Sequence, residues 1–148
     1  MGNKTSLVIA DADILIALAN SDDAHHAKVK AISEYLDANQ IAILFPITAI
    51  FEAVTALQRK LTKPELAKML IENVKAGKLP VKYIDESMFT EAVKFFNPLG
   101  SKQDTLYDAL VAALAKQLNA VIFSFDQWYK KQGFILASDL LEEEKKAA

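Results

Sequence analysis

Short apolar runs alternate with longer amphipathic segments along this chain, and this alternation most limits how it can fold. Each run is only a few residues long and rich in Val, Ile, Leu or Phe, as is typical of buried strands. The pattern predicts an α/β fold, with a central, mostly parallel sheet of four to five strands covered by helices on both faces. The predicted strands are 7–10, 41–45, 81–84, 121–123 and, as the fifth, 134–136.

Between the strands, apolar residues recur at helical spacing. The sequence Thr62-Lys63-Pro64-Glu65 predicts a helix start with a capping box, and Gly77 predicts its end. We expect the apolar stripe of Phe89, Val93 and Phe96 to belong to the core. The predicted helices are 14–18, 24–36, 48–61, 62–76, 85–96 and 105–118.

The length of 148 residues fits one domain, 1–148, and we expect its charged end, about 140–148, to fray. The first six residues lack the apolar stretch of a signal peptide. The chain has no cysteine and no apolar run long enough to span a bilayer. These features predict a cytoplasmic protein that does not enter a membrane.

Charge places a limit on how the chain can bind a polyanion. The formal net charge is −2, and Arg59 is the only arginine among 17 cationic residues. Bulk electrostatics therefore does not favour nucleic acid, and local lysines or bound metal ions would have to offset the acidity. The pairs Arg59-Lys60 and Lys130-Lys131 are expected to be solvated, although either could contact a phosphate.

Four acidic residues stand where parallel strands present their carboxyl ends, which is where ligands bind in such sheets. Asp11 directly follows the first strand, and Asp126 follows the fourth. Glu52 lies one turn into the helix after the second strand, and Asp108 lies near the start of the helix before the fourth. We expect these carboxylates to lie close together.

Two further acids accompany them. Asp13 is two residues from Asp11, and Asp104 precedes Asp108 by four, which predicts that the latter two share one helical face. Each of the four main acids also has a purely structural interpretation. Asp11 and Asp126 could cap helices, Asp108 could favour the helix dipole, and Glu52 could be an exposed helix residue.

The surroundings of these acids are mostly apolar, so that charged carboxylates would be costly unless a cation balanced them. Oxygen ligands without cysteine favour Mg²⁺ or Mn²⁺ over zinc. The adjacent pair His25-His26 does not add to such a site, because neighbouring helical residues face different ways. We interpret that pair as a solvated helix start.

Taken together, these segments resemble the PIN domain family over residues 7 to about 136. An aspartate followed by small residues and an aliphatic helix appears as Val8-Ile9-Ala10-Asp11-Ala12-Asp13-Ile14. A helical glutamate appears in Thr48-Ala49-Ile50-Phe51-Glu52, and an alanine-rich helix led by aspartate starts with Asp108-Ala109-Leu110. The last motif is Ser124-Phe125-Asp126.

The resemblance implies an α/β/α sandwich and a metal-dependent ribonuclease. It assigns catalysis and Mg²⁺ or Mn²⁺ binding to Asp11, Glu52, Asp108 and Asp126, with Ser124 as the small hydroxyl residue near the site. Asp13 departs from the Ser, Thr or Asn more usual there and, like Asp104, is an additional acid. Many compact members are VapC-like toxins of type II toxin–antitoxin pairs, for which the resemblance implies an RNA substrate, a small antitoxin and a homodimer. Others are stand-alone enzymes, and the sequence does not separate the two.

Three other functions fit parts of the pattern. A PIN-like fold can serve as a non-catalytic scaffold that binds RNA or protein, although such a scaffold has no need of clustered carboxylates. A metal nuclease acting on DNA would use the same acids, and no reader of the 2′-hydroxyl can be named. A response-regulator receiver would need a lysine at a late strand end, and 121–126 contains none.

Overall fold

The computed structural model describes residues 5–147 and confirms the α/β prediction. A four-stranded sheet of order β3-β2-β1-β4 lies at its centre, with every neighbouring pair parallel. In register, Val8 of β1 pairs with Ile43 of β2 and Val121 of β4. The strands are β1 (Leu7–Ala10), β2 (Ala42–Pro46), β3 (Val81–Lys82) and β4 (Val121–Phe123).

Helices connect the strands. Helix α3 continues into a π-helical turn, Ala56–Lys60, which replaces the end of the single helix predicted there. The α-helices are α1 (Ala12–Ala19), α2 (His26–Ala38), α3 (Ile47–Thr55), α4 (Pro64–Lys75), α5 (Glu86–Phe95), α6 (Leu106–Leu118), α7 (Trp128–Lys131) and α8 (Ala137–Ala147).

The sheet is buried on both faces, which explains its continuous apolar strands. Successive side chains of a strand point to opposite faces. Val8 and Ala10 accordingly join the core that is packed by α1 to α4, whereas Ile9 joins the core packed by α5 and α6. This arrangement is the α/β/α sandwich that the family resemblance implied.

Four local predictions were wrong. The fifth strand is reduced to one parallel bridge between Ile122 and Leu136. The capping box at Thr62 is absent, because Thr62 has a left-handed φ of 52° and Lys63 occupies the N-cap without a side-chain bond. The charged end is helical through Ala147. Phe89 and Val93 are exposed, and α5 buries Met88 and Ala92 instead.

The helices α3 and α4 are partly core and partly surface. Ile50 and Leu70 are buried, while Phe51, Met69 and Ile71 are exposed. Within residues 5–147 no helix has the length and apolar character needed to cross a bilayer. The predicted absence of a signal peptide concerns the first six residues, of which 1–4 lie outside the described residues, as does 148.

Candidate active site

Asp11 lies at the carboxyl end of β1, in the middle of the sheet. Its backbone N–H donates to the carbonyl of Phe123 at 3.1 Å, which ties the ends of β1 and β4 together. Its Oδ1 accepts from the N–H of Ala12 at 2.6 Å and so caps α1. The side chain is buried, with only 8% exposed. The interpretation of Asp11 as a helix cap is therefore confirmed. Asp11 also lies beside the other acids, so the two roles do not exclude each other.

Asp108 lies in the first turn of α6 and takes part in a capping box. Its Oδ2 accepts from the backbone N–H of Thr105 at 2.9 Å, while the Thr105 hydroxyl accepts from the N–H of Asp108. One carboxylate oxygen is thus occupied by the helix end. The other, Oδ1, faces the hydroxyl of Tyr129 at 3.3 Å.

Tyr129 lies between Asp11 and Asp108, and the sequence analysis did not predict it as a site residue. Its side chain is fully buried, and its hydroxyl lies 3.2 Å from Oδ2 of Asp11 and 3.3 Å from Oδ1 of Asp108. A phenol carries one proton, so it can donate to only one carboxylate at a time. The sequence signal was a tyrosine three residues after Asp126, since a tyrosine that is buried usually bonds through its hydroxyl.

Ser124 and Asp126 complete this edge of the site from β4. The Ser124 hydroxyl donates to Oδ2 of Asp11 at 3.3 Å and accepts from the N–H of Asp126 at 3.1 Å. Oδ1 of Asp126 accepts from the N–H of Trp128 at 2.9 Å, in the short turn that leads into α7. Asp126 is exposed, so its second oxygen is open to solvent.

Glu52 and Asp13 reach the same region from α3 and α1. Glu52 is half-buried rather than a freely exposed helix residue, and Asp13 is exposed. Both line one cleft beside the deeper acids. Within residues 5–147 no hydrogen bond holds the Glu52 carboxylate, in contrast to those of Asp11 and Asp108.

Electrostatics couples these acids. Burial is the main cause that raises the pKa of Asp11 from 3.8 to about 7, and the negative charges of Asp108 and Asp13 contribute to this rise. Burial is also the main cause of the raised pKa of Glu52, with Asp13 and Asp108 contributing. The pKa of Asp108 is raised by burial and by Asp126, against bonds from Thr105 that lower it. Desolvation therefore exceeds mutual repulsion as the cause.

Burial and the neighbouring carboxylates also raise the pKa of Tyr129 above its ordinary value. Its hydroxyl therefore keeps its proton at neutral pH and acts as a donor. Since it donates to only one carboxylate at a time, the facing oxygen of the other carboxylate is left without that hydrogen bond. A raised pKa at Asp11 means that this carboxyl is partly protonated near neutral pH.

Asp104 does not join the cluster as predicted. It precedes the N-cap Thr105, so it lies outside α6 and shares no helical face with Asp108. It lines a separate small pocket with Phe95 and Trp128. The histidine pair also stays apart from the acids: His25 is exposed against the ring of Phe125, and Nδ1 of His26 bonds the carbonyl of Ala17.

The donor set fits a hydrated Mg²⁺ or Mn²⁺ better than a closed metal cage. Among residues 5–147, no three Asp, Glu, His or Cys side chains converge tightly enough to hold one ion by themselves. Mg²⁺ commonly takes one or two carboxylates, keeps several waters and adds substrate phosphates. The pair formed by Asp11 and Asp108 supplies two such oxygens, and a cation there would relieve the cost of burying them.

The sequence of the chain matches a known protein family over most of its length. The sequence model of the PIN domain family matches residues 8–135, which is well over half of the chain. All the acids brought together at the strand ends lie inside that span. No curated protein sequence matches the chain significantly.

Solved structures with the same fold include the following three. VapC20 of Mycobacterium tuberculosis, a toxin that cleaves the Sarcin-Ricin loop, has a TM-score of 0.72 at 18% identity, covering 86% of this chain and 96% of its own. VapBC2 of Rickettsia felis, bound to a promoter DNA fragment, has a TM-score of 0.63 at 16% identity, and the match covers 88% of this chain and 96% of the VapBC2 chain. FitAcB of Neisseria gonorrhoeae has a TM-score of 0.60 at 14% identity, and the match covers 87% of this chain and 95% of the FitAcB chain. At these identities the likeness concerns the fold.

Proposed function

Because the chain belongs to the PIN domain family, we propose that it is a Mg²⁺- or Mn²⁺-dependent endoribonuclease that hydrolyses phosphodiester bonds in RNA. The observation that carries this proposal is the meeting of Asp11 and Asp108 on the single hydroxyl of Tyr129. These residues are far apart in the chain, and the fold brings both carboxylates to one partly desolvated point. Such a point favours a cation.

In this proposal Asp11, Glu52 and Asp108 help to hold one ion, and Asp126 completes that site or a second one. When bound, the ion would supply an activated water and neutralise charge on the phosphate oxygens. Tyr129 and Ser124 fix the orientation of Asp11 through its Oδ2. Thr105 fixes Asp108 in the same way through Oδ2, which leaves its Oδ1 directed into the site.

We further propose that the enzyme is the toxin of a type II toxin–antitoxin pair, acting in the cytoplasm as a homodimer with a small antitoxin. The support is the shared fold with VapC20, a toxin, and with VapBC2. Co-expression of a neighbouring small gene, followed by purification and light scattering, tests this part. We expect a stable complex that contains two copies of this chain.

The nuclease proposal is tested by incubating the purified protein with structured RNAs and single-stranded DNA in Mn²⁺, in Mg²⁺ and in EDTA. Asp108→Asn is the test variant, and Asp104→Asn is its matched control outside the cluster. We expect cleavage of RNA that needs the metal, that Asp108→Asn loses and that Asp104→Asn retains. Cleavage of DNA alone would replace the substrate assignment, and a folded chain that neither cuts nor binds Mn²⁺ would favour the scaffold.

A further inference from the structure

A small pocket of about 180 Å³ lies between the end of α5, the loop 97–105 and the start of α7. Two of its lining residues are hydrogen-bonded to the acidic cluster. The backbone N–H of Thr105 donates to Oδ2 of Asp108, and that of Trp128 donates to Oδ1 of Asp126. Among residues 5–147, no residue lines both this pocket and the larger open cleft at the cluster. The pocket is therefore a separate space next to the same acids.

Three aromatic residues line the pocket. Phe95, Phe96 and Trp128 are each half-buried, so that their rings are only partly covered by other side chains. Phe95 is held by the ring of Phe134, 6.1 Å away between centroids, and by Lys116, whose Nζ lies 5.8 Å from the Phe95 centroid. Sites for drug-sized ligands measure roughly 300–1,000 Å³. This smaller pocket has room for a single planar ring system that stacks on its walls.

Asp104 supplies the only charge among the described residues that line the pocket. Its backbone N–H donates to the carbonyl of Ser101 at 3.2 Å, which fixes the main chain at this point. The residue is half-buried, yet its carboxylate forms no ion pair and accepts no hydrogen bond from any of the residues 5–147. A carboxylate offers only acceptor sites, so a ligand that satisfies it must bring donors.

The loop that carries Asp104 is shaped by its own hydrogen bonds. Oδ1 of Asn97 accepts from the N–H of Leu99 at 3.0 Å, and Oγ of Ser101 accepts from the N–H of Gln103 at 3.2 Å. A Cβ at Gly100 would lie 3.2 Å from the carbonyl oxygen of Asn97, so glycine suits this tight turn. The wall is therefore formed before a ligand arrives, which lowers the cost of binding.

Among the four RNA bases, guanine alone presents two adjacent donors on its Watson–Crick edge, N1–H and the 2-amino group. These can give two parallel hydrogen bonds to the two oxygens of one carboxylate. Adenine and cytosine place an acceptor nitrogen beside their amino group, and that nitrogen would repel a carboxylate. Uracil offers one N–H between two carbonyls. A carboxylate beside stacking rings therefore favours guanine over the other bases of an unpaired strand.

We propose that this pocket selects guanine as the base next to the phosphodiester bond that is cut. The three aromatic residues form the stacking surface, and Asp104 accepts hydrogen bonds from N1–H and from the 2-amino group. The inference rests on the proposed function, because a phosphate held at Asp108 and Asp126 brings the base of its own nucleotide to the pocket. It concerns which base is chosen at the cut position, not how the RNA chain is held.

Binding is tested through Trp128, which is the only tryptophan of the chain, so that its fluorescence reports on the occupied pocket. The two ligands are a short oligouridine with one central guanosine and the same oligomer with inosine, which lacks the 2-amino group. Titrations are made in EDTA, where no metal-dependent cleavage occurs. The test variant is Asp104→Asn, and the control is Asp37→Asn, which removes an exposed carboxylate at the end of α2.

We expect the parent and Asp37→Asn to bind the guanosine oligomer about tenfold more tightly than the inosine oligomer, because inosine lacks one hydrogen bond to a charged group. In Asp104→Asn this preference should disappear. Removing a negative charge should by itself tighten RNA binding. A loss that is confined to guanosine therefore cannot come from bulk charge.

Three results would overturn the assignment: equal binding of the two oligomers by the parent, no response of Trp128 to either, or an unchanged preference in Asp104→Asn. A lysine or arginine of a protein partner would also suit a carboxylate beside rings. A parent that ignores both oligomers but binds an arginine-rich peptide through Asp104 would therefore replace guanine by such a partner.

Phe96→Leu tests the stacking wall separately, because it removes a ring and no polar group. We expect it to weaken binding of both oligomers by at least about fivefold and to keep the preference for guanosine. A Phe96→Leu chain that binds both oligomers as the parent does would overturn the stacking assignment.

Cleavage gives an independent result. Since Asp104 lies outside the acidic cluster, Asp104→Asn should still bind Mn²⁺ and cut RNA, while guanosine loses its advantage at the cut position. Cleavage by the parent without a base preference would overturn the pocket and leave the nuclease in place. A guanosine preference in binding without any cleavage would overturn the nuclease and leave the pocket in place.

Discussion

The acidic cluster has two parts that hold charge in different ways. The deep pair is Asp11, which is buried, and Asp108, which is half-buried, and hydrogen bonds from Tyr129, Ser124 and Thr105 fix both carboxylates. The shallow pair is Asp13, which is exposed, and Glu52, which is half-buried, and both border the open cleft. The deep pair is therefore oriented before any ligand arrives, whereas the shallow pair is free to adjust to the ligand.

The largest difference between the pairs should appear in catalysis. Asp11→Asn removes a charge from the desolvated point and should lower the rate of RNA cleavage more than about 100-fold, since even residues that only orient metal ligands cost 10–100-fold. Asp13→Asn should cost less than about tenfold, because water can replace an exposed carboxylate. Initial rates at saturating Mn²⁺ measure both. Equal losses of cleavage rate in the two variants would mean that the burial of a carboxylate does not determine its contribution to catalysis.

Tyr129→Phe tests what orients the deep pair. Loss of the hydroxyl leaves Asp11 and Asp108 without their shared donor. We expect Mn²⁺ affinity, measured by calorimetry, to fall by about 10–100-fold. Tyr83→Phe, which removes an exposed hydroxyl elsewhere, is the control and should leave that affinity unchanged. A Tyr129→Phe chain that binds Mn²⁺ as the parent does would assign the tyrosine to packing alone.

The pH dependence of the free energy of unfolding should show the raised pKa of Asp11 in the deep pair. Asp11 has a pKa of 3.8 when unfolded and about 7 when folded, so the folded state binds more protons between these values. In EDTA the free energy of unfolding should therefore fall as the pH rises from about 4 to about 7, by an amount on the order of 2–4 kcal/mol, and then level off.

Denaturant titrations at several pH values measure this decline. Asp11→Asn should flatten it and make the chain more stable than the parent at about pH 8, because the uncompensated buried charge is gone. A parent whose stability does not fall over this window, or an Asp11→Asn chain that falls as steeply, would show that the deep carboxylate is not raised in pKa.

Glu52→Gln should have the smallest effect on stability. No hydrogen bond within residues 5–147 is lost, and the carboxylate is only half-buried. We expect a change in the free energy of unfolding below about 0.5 kcal/mol in EDTA, together with weaker binding of Mn²⁺. A large loss of stability without metal would place Glu52 among the deep residues instead.

Much of the fold could be predicted from the sequence because its signals are local. The runs around Val8, Ile43 and Ile122 are apolar on both faces, which favours a parallel sheet under two layers of helices. Strand ends then located Asp11 and Asp126. The helical charged end was missed because the helix α8 is stabilised by packing of Leu140 and Leu141 against the core, and composition does not reveal such contacts.

The site itself was only partly predictable, because its details depend on side chains from distant segments. The hydroxyl of Tyr129 reaches Asp11 across 118 positions of sequence. Asp104 was misplaced because a spacing of four residues aligns two side chains only when both lie inside the helix, and Asp104 precedes the N-cap Thr105. The π-helical turn at Arg59 has no sequence signature that we can name.

The central claim is that the acidic cluster is a site for divalent cations, and a Mn²⁺ titration followed by paramagnetic resonance tests it most directly. The parent, Asp108→Asn and Asp104→Asn would be compared at equal concentration. Our account predicts saturable Mn²⁺ binding to the parent and to Asp104→Asn, and its loss in Asp108→Asn. Binding that survives in Asp108→Asn, or no binding by a folded parent, would contradict it.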